Sequence, residues 1–168
     1  MADVKTIIES LDDAGDAAFR VTASSLPEVF AGCGLALSGL ILPRTELRGV
    51  LQSGRGAPAT RRIRLAAPDL EALLVGLANE IIFLFDSQAF VPSGFEFHEI
   101  EQLEQAGGAG SARLEAEVDG VALSEDVLRP AAGQRGILGL VPKAASYHMI
   151  EVVRLANGRW TARLVLDA

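Results

Sequence analysis

Apolar residues recur along this chain in two rhythms, and the order of those rhythms defines the fold to expect. Residues 17–23 alternate, with Ala17, Phe19 and Val21 on one side and Ala18, Arg20 and Thr22 on the other. That is the pattern of a strand with one buried face. Ser25-Leu26-Pro27-Glu28 then fits a capping box, a serine cap followed three residues later by a glutamate that can reach back. Leu26, Phe30, Cys33, Leu37 and Leu40 follow at helical spacing and form one apolar stripe. Gly32, Gly34 and Gly39 weaken this helix and point to a neighbour packed closely against it, and Pro43 ends it. Residues 44–64 read as strand-like at both ends, around a Gly/Pro/Ala/Ser loop over 52–60. Pro68-Asp69 opens a second helix over about 70–85, apolar nearly all round and so predicted at the centre of the fold, with Asp86-Ser87-Gln88 closing it.

The remainder reads as strands, over 89–103, 112–119, 143–155 and 159–166. Asn157-Gly158 between the last two is a two-residue hairpin signal. Residues 105–111 form a Gly/Ala turn, and 123–140 a glycine-rich, irregular surface excursion. Strand, helix, strand, helix and a strand meander predict an α+β fold, mainly antiparallel sheet with two main helices. The 168 residues are enough for one domain spanning 1–168, and there is no internal repeat.

Charge narrows the function. The formal net charge is −7. A binder of RNA or DNA needs a basic surface to displace counterions from phosphates, so direct nucleic-acid binding is not expected. A basic partner, or a site that collects cations, suits this balance. Against it stands one basic stretch, with Arg44, Arg48, Arg55, Arg61, Arg62 and Arg64. It reads either as a solvated strand face with a flexible loop or as a docking patch. Cys33 is the only cysteine, so an internal disulfide and a CxxC motif are both excluded, and its place on the apolar stripe predicts a buried thiol. Residues 1–8 carry an acid, Asp3, and no apolar core, unlike a signal peptide. The most apolar run, 70–85, is shorter than a membrane span and broken by Asn79 and Glu80, so a cytoplasmic protein is expected.

Two places concentrate carboxylates. Asp12-Asp13-Ala14-Gly15-Asp16 precedes the strand at 17–23, and three acids so close repel one another unless they are solvated or bridged by a cation. At the other extremity Asp167 is followed by Ala168, so a side-chain carboxylate stands beside a main-chain terminal one. Were the last strand to end beside the start of the first, three or four hard oxygens would converge, a donor set for Ca²⁺, Mg²⁺ or Mn²⁺ more than for zinc. The plain alternative is a solvated turn and an idle terminal aspartate. His98 and His148 lie in predicted strands without HxH or HExxH spacing. A triad through Ser146 lacks a GxSxG elbow, and Ser146-Tyr147-His148 otherwise reads as side chains filling alternate strand positions. No phosphate-binding GxxxxGK[ST] loop is present.

Several of these segments resemble the archease family. Its opening motif, Y-E-x-L-x-H-T-A-D, is matched by Ile8-Glu9-Ser10-Leu11-Asp12-Asp13-Ala14-Gly15-Asp16, and its T-L-E-E-A-F helix start by Ser25-Leu26-Pro27-Glu28-Val29-Phe30. The central helix, D-L-E-x-L-L-V-x-x-L-N-E-L-L-Y-L-F-D, is matched most specifically. Here it reads Asp69-Leu70-Glu71-Ala72-Leu73-Leu74-Val75-Gly76-Leu77-Ala78-Asn79-Glu80-Ile81-Ile82-Phe83-Leu84-Phe85-Asp86. K-A-V-T-Y-H is echoed by Lys143-Ala144-Ala145-Ser146-Tyr147-His148, and W-x-A-x-V-x-x-D by Trp160-Thr161-Ala162-Arg163-Leu164-Val165-Leu166-Asp167. In the opening motif Asp13 and Ala14 stand where the family carries histidine and threonine.

The resemblance implies an archease-like fold and an accessory protein, not an enzyme. Its expected partner is an RtcB-type RNA ligase, whose guanylylation and turnover it promotes in tRNA splicing and RNA repair. It also implies a divalent metal ion, Ca²⁺ or else Mg²⁺ or Mn²⁺, held by Asp16, Asp167 and Ala168. Asp13 is a further possible oxygen donor, with Asp12 and His148 as additional candidates. Two other readings compete. One is an interaction or chaperone-like module that kept the fold and changed partner, which the Asp13-Ala14 replacement favours. The other is a free-standing metal-dependent hydrolase using Asp12, Asp13, Asp16 and His148, which lacks a motif to hold its base or nucleophile.

Overall fold

The period-two segments pair into two antiparallel sheets, and the two long apolar helices contact both. The computed structural model describes residues 6–13, 16–104, 108 and 110–167. In chain order the elements are β1 (Ile7–Asp13), β2 (Asp16–Ala23), α1 (Leu26–Ile41), α2 (Arg44–Gln52), β3 (Gly56–Ala67) and α3 (Leu70–Gln88). They continue with β4 (Phe90–Glu104), β5 (Gly110–Leu123), α4 (Glu125–Leu128), β6 (Ala144–Arg154) and β7 (Trp160–Asp167). The first sheet has the order β1-β2-β7-β6 and the second β3-β5-β4, so the fold is α+β as expected.

α1 begins where the capping pattern places it. The Ser25 hydroxyl accepts a hydrogen bond from the Glu28 backbone N–H at 3.3 Å. The Glu28 carboxylate does not reach back to Ser25 as the capping box implied; it accepts from the Ser24 hydroxyl at 2.8 Å. The stripe of α1 is buried at Phe30, Cys33 and Leu37. The close neighbours that its glycines implied are present at two of three positions. A Cβ on Gly32 would lie 2.5 Å from Val21 Cγ1 and one on Gly34 2.5 Å from the Phe95 ring, whereas Gly39 faces open space. Asp69 caps α3, accepting from the Ala72 N–H at 2.7 Å. This helix runs three residues past the expected end, to Gln88, and Leu73, Leu74, Leu77 and Ile81 are buried on it. It contacts β3, β4 and β5 of one sheet and β6 of the other, while α1 contacts β2, β7 and β4.

Three expectations are corrected. The loop read over 52–60 is only the turn at 53–55, because β3 begins at Gly56 and pairs with β5 from there. Residues 44–52, read as strand-like, form the helix α2. Leu47, Val50 and Leu51 recur at helical spacing there, but only Val50 is buried, so the apolar signal was short and weak. The segment at 17–23 is the second strand, because β1 precedes it as an edge strand with Ile7 and Ile8 48% and 44% exposed. The β6–β7 hairpin is present, but its loop has three residues, 156–158, not two: the Leu155 N–H donates to the Arg159 carbonyl at 2.7 Å, the Gly158 N–H donates to the Leu155 carbonyl at 2.9 Å, and Gly158 is at φ 83°. The excursion after β5 contains the one-turn helix α4 and is otherwise irregular up to β6. The turn expected over 105–111 falls largely outside the described residues. Among the described residues no single helix is long and apolar enough to cross a membrane.

Cys33 is 1% exposed, and burial pushes its thiol up from the ordinary 9.0 to about 12. The raised value favours the folded state fully below pH 9, and that contribution is lost as pH rises from 9 towards 12, because the unfolded chain ionises first. A thiol reagent at pH 8 is expected to leave Cys33 unmodified until denaturant is added. Reaction of the folded protein at the rate of an exposed thiol would contradict this placement.

Candidate functional site

The end of the four-stranded sheet is built by register. β2 pairs with β7 so that Ala17 lies opposite Leu166, and one residue further out on these strands stand Asp16 and Asp167. β1 pairs with β2 so that Asp13 lies opposite Asp16. β6 pairs with β7 so that Ala144 lies opposite Asp167, and the Lys143 N–H donates to the Asp167 carbonyl at 2.9 Å. A row therefore crosses the sheet at one end, Asp13, Asp16, Asp167 and Ala144. Asp16 and Asp167 are both exposed.

Strand alternation decides which way these two point. Phe19, Val21 and Ala23 on β2, with Ala162, Leu164 and Leu166 on β7, are buried in the core. Asp16 and Asp167 have the opposite parity, so they share the outer face with Arg20 and Arg163. Directly opposed side chains on adjacent strands have Cβ atoms about 5 Å apart. Two carboxylates at that spacing repel by about 1 kcal/mol even in water, and one ion between them removes the repulsion. Neither aspartate forms an ion pair with a described residue. Hard carboxylate oxygens fit a divalent cation of the Ca²⁺, Mg²⁺ or Mn²⁺ class.

The remaining predicted donors divide. Ala168 and the side chains of Asp12 and Asp13 lie outside the described residues, and among the described residues no three His, Cys, Asp or Glu side chains gather as a metal group. His148 is not in the row. It belongs to a wide bulge in β6, where residues 147–150 lie opposite only Leu164 of β7. Its N–H donates to the Ser146 hydroxyl at 3.0 Å. The alternating strand placement expected for Tyr147 and His148 is thus replaced by a bulge, with Tyr147 66% exposed and Met149 at φ 53°. Lys143 received no role from the sequence; its backbone ties the end of the excursion to Asp167, a contact that only the strand pairing reveals.

A second anchor steadies the same end. The Asn79 side-chain carbonyl on α3 accepts from the Ala145 N–H at 2.8 Å, satisfying a donor on the free edge of β6 one residue from the row. The asparagine of the central helix pattern thereby joins the buried helix to the edge strand that carries Ala144.

The basic stretch is taken apart by the fold. Arg55 pairs with Asp126 at 3.0 Å, and Arg62 and Arg64 both approach Glu115, at 3.7 and 3.3 Å. Arg61 donates to Gln88 at 2.5 Å and lies over the Phe90 ring, 5.1 Å from its centroid. Only Arg44 and Arg48, on α2, make no hydrogen bond or ion pair among the described residues.

The structure is an α+β domain of two antiparallel sheets with an acidic row at one sheet end, and comparison with known proteins identifies its family. Residues 9–168 match the model of the Archease protein family (MTH1598/TM1083), and the chain belongs to that family. It is 26% identical over 164 residues to the protein archease of Methanosarcina barkeri, covering 95% of this chain and 94% of that one. It is 26% identical over 159 residues to the protein archease of Pyrococcus abyssi, covering 95% and 96%. The solution structure of Methanobacterium thermoautotrophicum protein 1598 superposes with a TM-score of 0.66 at 22% identity, over 96% of this chain and 98% of that one, and so shares the fold.

Proposed function

We propose that this archease-family chain is an accessory protein of an RtcB-type RNA ligase and promotes ligase guanylylation and multiple turnover in tRNA splicing and RNA repair. It joins no RNA itself. One observation supports the reading most: the β2–β7 register leaves Asp16 and Asp167 side by side on an exposed sheet end, with no ion pair to a cation among the described residues. These carboxylates, with Asp13 and a main-chain oxygen of Ala168 as further donors, hold one divalent cation. Strands β1, β2 and β7 fix the donors in a rigid frame, and Asn79 and Lys143 keep the neighbouring edge in place. The exposed row visits the basic, phosphate-binding pocket of the ligase, to which a negative surface is complementary. The bound ion would supply stabilisation of developing phosphate charge.

The test is a ligation assay with the cognate ligase at limiting GTP, with and without the chain. Faster guanylylation and more than one turnover per ligase are expected. An unchanged rate and a single turnover would end this reading. Asp13-Ala14, in place of the family's histidine and threonine, favours the second reading, a module that kept the fold and changed partner. Recovery of an RNA ligase from the native cell supports the first reading, and consistent recovery of an unrelated protein in its place supports the second.

A further inference from the structure

Arg44 and Arg48 stand one turn apart on α2, and both are exposed. The helix's one acid, Glu46, forms an ion pair with neither. In a chain of net charge −7, two arginines one turn apart with no partner among the described residues stand out, because every other member of the same basic stretch is engaged within the fold. The helix also fails to bury its own apolar side. Only Val50 is inside; Leu47 is half-buried and Leu51 is 38% exposed. Two depressions meet at Leu47. One is walled by Leu42, Pro92 and Arg44, the other by Leu51, Pro58 and Val121. The second encloses about 440 Å³. The first is shallow, about 20 Å³; sharing Leu47 and Ser93, the two lie side by side as a partly polar groove beside α2, with Arg44 on the wall of the first. At the far wall Asp119 carries negative charge, with its carboxylate accepting from the Thr60 hydroxyl at 2.9 Å.

We infer that this groove docks a short amphipathic acidic segment of a partner protein. Two or three apolar side chains of the segment fill the groove, and its carboxylates pair with Arg44 and Arg48. The polarity follows from charge: carboxylates at the Arg44 end are attracted, and at the Asp119 end they are repelled. A nucleic acid would meet the same two arginines but no stacking platform and an acidic far wall.

The groove lies within reach of the acidic row. The carbonyl of Ile41, at the end of α1, accepts from the Gly139 N–H at 2.8 Å. The chain then runs from Gly139 to Lys143, which bonds to Asp167. Four residues span at most about 14 Å. One partner can therefore touch both the row and the groove, and we take it to be the ligase; in that identity the inference rests on the reading above.

The experiment uses the full chain and its cognate RtcB-type ligase, with association and activation measured in parallel. The double variant Arg44→Glu/Arg48→Glu, checked for an unchanged melting temperature, is expected to weaken association about tenfold or more. The half-activating concentration should rise by the same factor, and maximal activation at saturation should be kept. Arg44→Lys/Arg48→Lys should stay within about threefold of the original, as a charge-based contact tolerates lysine. Unchanged association in the charge-reversed variant overturns the inference. So does a dimer of the chain itself that only this variant loses, because the occupant would then be a second copy. Failure of the unmodified chain to associate with the ligase overturns it as well. Association that depends on Arg44 and Arg48 but brings no activation upholds the docking groove and sinks the activator reading alone.

Discussion

Asp16→Asn and Asp167→Asn are each expected to cut activation of the ligase by tenfold or more while leaving the fold as stable as before or slightly more so. The two carboxylates are opposed on adjacent strands, and like charges in that position destabilise a sheet. Neutralising one removes about 1 kcal/mol of repulsion in the ion-free protein. It also removes a ligand from an ion that has few to spare, and even outer contacts of metal sites are typically worth 10–100-fold in affinity. Thermal melting separates the two effects. With Ca²⁺ or Mn²⁺ at a hundred times its dissociation constant, the unmodified chain should gain about 2.7 kcal/mol of stability. Either variant should lose that gain and melt no earlier than the original without ion. If the row is an idle solvated turn, both variants will melt slightly higher, show no altered ion response and activate as before.

The surrounding sheet faces show what the row lacks, an arginine on a neighbouring strand. Next along the four-stranded sheet, Glu9 lies opposite Arg20, Arg20 opposite Arg163, and Arg163 opposite Glu151. Arg20 also approaches Glu151 at 3.6 Å. On the other sheet Arg113 holds Glu99 and Glu101 at 3.0 and 2.6 Å, and Arg62 and Arg64 share Glu115. Exposed pairs of this kind contribute little stability each, but they cancel local charge. Carboxylates on these faces are mostly set beside arginines: even Glu117, which lies opposite Glu96, has Arg62 opposite it on its other side. Asp16 and Asp167 are set beside each other with Asp13 and Ala144 as their outer neighbours in the row. A cation from outside the chain, as the proposed function requires, would complete the same pattern.

Most elements were readable from periodicity because they bury a whole face. α1 and α3 carry apolar stripes over four or more turns, β5 alternates along most of its 14 residues, and β4, β6 and β7 are runs of 15, 11 and 8 residues, apolar in part and bounded by turn residues. β1 and α2 escaped because they bury so little: Ile7 and Ile8 are exposed on both sides of an edge, and α2 covers only Val50. The row was legible only in part. That Asp16 and Asp167 are both acids is visible in the chain, but their adjacency follows from β2 pairing with β7 across nearly the whole sequence. No local pattern encodes such a pairing; the family motifs carried it. The β6 bulge was hidden for a related reason, since the four residues 147–150 oppose one residue only once β7 is in place.

Phe90→Ala is expected to be the most damaging single truncation away from the row. The ring is fully buried at the start of β4, with the Arg61 guanidinium 5.1 Å from its centroid. On its other side lies Gly120 of β5, where a Cβ would come within 2.6 Å of the Phe90 ring and closer still to the Val91 carbonyl. Gly120 is opposite Pro92, at the point where the β4–β5 register shifts. The missing side chain is what lets the outer edge of the ring come this close to the central strand. Truncation removes the ring from a site that neighbouring backbone cannot collapse to fill, so the cost should fall in the range of about 3–5 kcal/mol for buried aromatics. In a domain of this size that lowers the melting temperature by roughly 6–20 °C. Gly120→Ala should also destabilise, and the double variant should lose less than the sum, because part of the Gly120→Ala clash is with the ring that is gone. The contact with the Val91 carbonyl remains, so the rescue should be incomplete. Strict additivity in thermal or urea melts would show that ring and glycine do not touch as described.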